Sequence, residues 1–143
     1  LFFERKVSMK RITLSILLLF TVASTAFSQG YTTPRYGGGY DIYGSSGRSG
    51  YATPRYGGGF NYYGSDGSSG YTTPRYGGGY NYYGSSGDSF YTTPRYGGGL
   101  NYYGDRSGYS TPRYGGGYNF YGSESQGYST PRYGGGYNYY GRH

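Results

Sequence analysis

The phrase TPRYGGG occurs six times, unchanged, in a chain of 143 residues. The units that carry it begin at Tyr31, Tyr51, Tyr71, Tyr91, Tyr109 and Tyr128. They run for 20, 20, 20, 18 and 19 residues, with a final 16. Each opens on Tyr, followed by Thr, Ala or Ser, and then the invariant phrase. Next stands an aromatic residue or Leu (Tyr40, Phe60, Tyr80, Leu100, Tyr118, Tyr137). Asn follows, or Asp41 in the first unit; then Tyr, Phe or Ile; then Tyr-Gly. The connectors SSGRSG, SDGSSG, SSGDSF, DRSG and SESQG hold all the variation in length. Whatever this chain folds into must be one local solution used six times.

The unit has a readable local logic. Thr-Pro drives the threonine toward extended or polyproline backbone. Three successive glycines cannot hold a helix and read as a swivel. The stretch YNYYG is short, aromatic and free of proline, a weak strand candidate. No apolar period of 3.6 residues is present, so no helix is expected in the repeats.

The core is the difficulty. From Tyr31 onward the only aliphatic side chains are Ile42, Ala52 and Leu100, and the only phenylalanines are Phe60, Phe90 and Phe120. Glycine supplies 32 residues and tyrosine 26. Ordering each residue costs roughly 1–2 kcal/mol of backbone entropy, most for glycine. Buried aliphatic area, at about 25 cal/mol per Å², is nearly absent. Tyrosine brings area together with a hydroxyl that needs a partner. A solenoid stacks a continuous aliphatic row, and this repeat offers none. The composition therefore predicts a mostly disordered low-complexity repeat chain, with short β segments, that orders on assembly.

The N-terminus reads as an address. From Met9, Lys10 and Arg11 precede an apolar stretch, Ile12 to Ala23, and the small residues of STAFSQ. This is the pattern of a secretory signal peptide over residues 9–28, cut between Ser28 and Gln29 (Ser24 and Ala26 also fit a cut two residues earlier), and it holds the one expected helix. The apolar stretch is shorter than the roughly 20 residues of a membrane-spanning helix. Residues 1–8 read as upstream translation or a fragment boundary. The remainder, 29–143, carries nine arginines against five acidic residues and no lysine, and is mildly basic.

An enzyme is not expected. The single histidine is His143, there is no cysteine, and the acidic residues stand singly among Ser and Gly. No nucleophile–base–acid set can be assembled from these. No cofactor motif occurs, no metal-binding cluster, and GGG lacks the Lys-Ser/Thr of a phosphate loop. What recurs is arginine followed by tyrosine: Arg35–Tyr36, Arg55–Tyr56, Arg75–Tyr76, Arg95–Tyr96, Arg113–Tyr114 and Arg132–Tyr133. A guanidinium on a tyrosine face gains about 0.5–1 kcal/mol at exposed sites, and repetition multiplies weak contacts through effective concentration. These pairs are the expected adhesive residues; a purely solubilising role for the arginines is the plainer reading. Phenol rings also admit oxidation and coupling, which would replace disulfides as staples. Basic charge interleaved with aromatics is a nucleic-acid pattern as well, but a secretory signal directs the chain away from that partner.

With its signal MKRITLSILLLFTVASTAFSQ and six TPRYGGG(Y/F/L)(N/D)xYG blocks, the chain resembles secreted Gly/Tyr-rich structural repeat proteins. Among these it is most similar to molluscan shell matrix proteins of the shematrin and prismalin kind. The resemblance implies a secreted extracellular-matrix protein, part of the organic framework of a shell or similar hardened coat. It further implies self-association and contact with other matrix proteins, with a polysaccharide such as chitin, or with mineral surface. Neither nucleic acid nor, once the signal is removed, membrane is an expected partner. The chain departs from the pattern in lacking an acidic run for calcium and a basic KKKY-type tail. Two alternatives stand beside this reading: a precursor of secreted bioactive peptides, and an adhesive, eggshell or cuticle protein.

Overall fold

The computed structural model describes residues 29–142 apart from 45, 46, 48, 106, 124 and 125. The upstream residues 1–8, the expected signal peptide 9–28 and His143 lie outside the described residues. Twelve strands run in chain order: β1 (Gln29–Pro34), β2 (Tyr40–Gly44), β3 (Ser49–Pro54), β4 (Phe60–Gly64), β5 (Ser69–Pro74), β6 (Tyr80–Gly84), β7 (Ser89–Pro94), β8 (Leu100–Gly104), β9 (Gly108–Pro112), β10 (Tyr118–Gly122), β11 (Gln126–Pro131) and β12 (Tyr137–Arg142). Each unit is one antiparallel hairpin, and each hairpin pairs with the next. β12 returns to β1, so the sheet closes into a barrel with no free edge.

This overturns the expectation of a mostly disordered chain. Three physical features account for the difference. First, closure pairs every strand on both sides, which removes the edges that would leave short strands unstable. Second, strict alternation sends one aromatic row inward. Tyr40, Phe60, Leu100 and, one turn of the pleat along, Ile42, Tyr62, Tyr102, Phe120 and Tyr139 are buried. They form two clusters bridged by Tyr82, and rings supply the area that aliphatic side chains do not. Third, the residue after the opening tyrosine also faces inward and is small: Thr32, Ala52, Thr72, Thr92, Ser110 and Ser129 are all almost fully buried. The hydroxyls there accept hydrogen bonds from the backbone across five of the six joints. Phe60 N–H donates to Thr72 Oγ1 at 2.9 Å, Leu100 N–H to Ser110 Oγ at 3.0 Å, and Tyr137 N–H to Thr32 Oγ1 at 3.1 Å.

The six joints share one register. Asn81 faces Thr73 within its hairpin and Tyr91 across the joint. Asn138 faces Thr130 and Tyr31 at the closing joint in the same way. Each hairpin is thus stepped along the barrel by the same amount relative to the one before, despite unequal connectors.

The glycine triplets are not swivels. All three glycines of every triplet hold φ between 77° and 102°. The loop is closed by two backbone bonds, Arg75 N–H to Gly79 C=O and Gly78 N–H to Arg75 C=O, each 3.1 Å. The two connectors described in full, SDGSSG and SSGDSF, are turns rather than loose spacers. In SDGSSG the amide and hydroxyl of Ser68 both bond Asp66 Oδ1, at 3.0 and 2.6 Å. Neighbouring connectors are tied together: Ser85 N–H donates to Ser69 C=O at 2.8 Å.

Candidate functional site

Because the strands run up and down in order, all six Arg-Tyr-Gly-Gly-Gly loops emerge at one end of the barrel and the connectors at the other. The invariant arginine and tyrosine are side by side in sequence and separate in space. Tyr36, Tyr56, Tyr76, Tyr96, Tyr114 and Tyr133 stand at 107–109% of the reference exposure, beyond what an extended reference peptide shows. They make no ring contact among the described residues. Together they form a crown of six phenols on a ring of glycine.

The arginines turn back along the wall. Arg35 lies over the ring of Tyr51 in the next unit at 4.5 Å, and Arg55, Arg75, Arg95 and Arg113 lie over Tyr71, Tyr91, Tyr109 and Tyr128 at 4.2–4.3 Å. Arg132 completes the ring over Tyr31 at 4.2 Å. The common step between hairpins is what brings the loop of one unit above the opening tyrosine of the next. Three of these arginines also hold their own hairpin: Arg75 donates to Asn81 Oδ1 at 2.8 Å, Arg95 to Asn101 Oδ1 at 3.1 Å, and Arg35 pairs with Asp41 at 3.3 Å, whereas Arg113 donates to the Ser129 carbonyl of the next hairpin at 3.2 Å. The arginine of each expected adhesive pair is thus engaged within the molecule, and its tyrosine neighbour is the free member. Ser28, on one side of the expected signal cut, lies outside the described residues; Gln29, on the other, opens β1.

A second tyrosine layer went unread in the sequence. Each opening tyrosine faces the fourth residue of the returning strand, and the two rings stack on the outer wall. Tyr31 and Tyr43 are 4.7 Å apart between centroids, Tyr51 and Tyr63 4.9 Å, and Tyr109 and Tyr121 4.8 Å. With an arginine on one face and a phenol on the other, each opening tyrosine is held in a three-member stack. The signal was available: the two tyrosines keep a fixed spacing of 12 residues in all six units, connectors notwithstanding.

The third set of tyrosines faces the lumen. Burial pushes the phenols of Tyr62, Tyr102 and Tyr139 far above their ordinary range, and the nearby hydroxyls of Thr72, Ser110 and Thr32 offset this only in part. Tyr82, Tyr118 and Tyr137 are raised chiefly by the same desolvation.

Among the described residues the outer wall carries Tyr, Thr, Asn and Arg, and the aliphatic residues face inward. Fold and surface define a closed hairpin-repeat β-barrel with one tyrosine-crowned end. No family model, curated protein or solved structure matches the chain.

Proposed function

We propose that the protein is a secreted structural component of an extracellular matrix, part of the organic framework of a shell or similar hardened coat. The observation that carries this reading is the crown: six equivalent, fully exposed phenols presented together at one end of a folded barrel. A phenol contact worth a fraction of a kcal/mol is weak alone, and six on one rigid frame bind through effective concentration. The arginine stacks serve this by fixing the frame, so that the loops point the same way. Partners on this reading are further copies of the chain, other matrix proteins, and polysaccharide or mineral surface.

The test is tryptic mass spectrometry of the washed, insoluble extracellular fraction of the source tissue. The target is YGGGYNYYGSSGDSFYTTPR, Tyr76 to Arg95. Recovery there, without peptides from residues 9–28, is the expected result. Recovery only as soluble short peptides ending at unit boundaries would replace this reading with that of a peptide precursor.

A further inference from the structure

The geometry points to Tyr36, Tyr56, Tyr76, Tyr96, Tyr114 and Tyr133 as oxidative coupling sites through which one copy of this chain is joined to a second by carbon–carbon bonds between phenol rings. This rests on the framework reading for its setting and sharpens it, because it singles out six of 26 tyrosines. Composition cannot make that distinction; the three environments can.

The lumen tyrosines, such as Tyr62 and Tyr102 at 6% and 7% exposure, are closed to any oxidant of enzyme size. The wall tyrosines are half-covered and paired. One ring of each pair lies under a guanidinium, whose charge opposes removal of an electron from the ring beneath it. Coupling within such a pair would also stay inside one hairpin and join nothing to anything else. The loop tyrosines have neither cover nor partner. Successive hairpins stand two strand spacings apart, roughly 9–10 Å, so the rings of one crown are set apart from each other. A second crown approaching end-on is under no such constraint and meets six rings at once.

The oxidant is a haem peroxidase supplied with hydrogen peroxide. Each of two phenols yields one electron and its hydroxyl proton, giving two tyrosyl radicals. The radicals join at the ring carbons next to the C–O carbon, forming one C–C bond. The hydrogen on each joined carbon then moves to the oxygen and restores both phenols. The two electrons and two protons reduce one hydrogen peroxide to two water molecules.

The experiment treats the purified full chain with a haem peroxidase and hydrogen peroxide. It compares this chain with a variant in which all six loop tyrosines are changed to Phe (Y36F, Y56F, Y76F, Y96F, Y114F and Y133F). Readouts are covalent oligomers on a denaturing gel, dityrosine fluorescence, and fragment spectra of linked tryptic peptides. The unaltered chain is expected to form a ladder of oligomers whose links join loop tyrosines, and the variant to lose the ladder. Equal laddering by the variant would overturn the proposal. So would links in the unaltered chain that map to wall pairs such as Tyr31 with Tyr43, or fluorescence that rises while the chain stays monomeric. The mapping on the unaltered chain decides the matter even if the variant folds poorly. Coupling in the tube with no chain in the insoluble extracellular fraction sinks the framework reading alone. The chain present there, with no coupling in the tube, sinks this proposal alone.

Discussion

Ala52 is the one member of its inward-facing set without a hydroxyl. At the equivalent positions Thr72, Thr92, Ser110, Ser129 and Thr32 each accept a backbone N–H across a joint, at 2.8–3.1 Å. Ala52 faces Tyr40 in the same register and has nothing to offer its amide. Ala52→Thr is expected to stabilise the barrel by about 0.5–1.5 kcal/mol, the usual net value of a buried hydrogen bond, read as a shift in urea midpoint at unchanged slope. The lumen phenols make a second residue-level prediction. In the unfolded chain they ionise near pH 10; in the barrel desolvation keeps Tyr62, Tyr102 and Tyr139 protonated well above that. The native state then retains protons that the unfolded state has released. Stability is intact below about pH 10 and falls as the pH rises beyond it, toward the raised native values. Urea midpoints measured at stepped alkaline pH should fall once the pH passes about 10.

At the scale of the hairpin, the three glycines of each loop have different neighbours. A Cβ at Gly77 meets nothing, at Gly78 it lies 2.9 Å from Pro94 Cγ of the next unit, and at Gly79 it collides with the Thr92 carbonyl oxygen. All three hold left-handed backbone. Gly77→Ala should therefore cost only the left-handed penalty, about 1–2 kcal/mol. Gly79→Ala should cost at least about 3 kcal/mol, because strain and a backbone clash act together; thermal unfolding of the two variants separates them. This element was half legible. YNYYG read as a strand and is one, and Thr-Pro read as extended and is. GGG read as a swivel because φ > 0 was taken as freedom. The close approach that fixes it comes from a residue 13 positions further on, Thr92 against Gly79, and local propensity does not see it. Likewise the arginine–tyrosine pairs were legible as residues but the arginines' partners within the molecule were not, since Arg75 reaches past its neighbour Tyr76 to Tyr91.

At the scale of the molecule, closure joins residues 105 positions apart, Tyr137 and Thr32. The sequence carries no mark of which unit meets which, only that all units are alike. Closure is also what the aliphatic count missed, because a ring of hairpins buries aromatic faces that an open chain leaves wet. If the ring is closed, its last joint behaves as the others do. Arg132→Ala, at the seam with Tyr31, should destabilise by the same amount as Arg55→Ala at an internal joint, about 1 kcal/mol, since both guanidinium groups lie 4.2 Å over the next opening tyrosine. Matched chemical denaturation of the two variants checks this; a silent Arg132→Ala would mean the seam is open.

The equal step at every joint has a consequence for how such a gene can change. Strand number and stagger together set the width of a barrel, and here each unit contributes a fixed share of both. Slippage between near-identical DNA copies adds or removes whole units. A seventh unit would widen the lumen past the reach of inward rings such as Phe60 and Phe120 and leave a bore. Loss of one unit, leaving five, would crowd them. Copy number is therefore a calibre, and it is the size of the inward side chains that holds it at six.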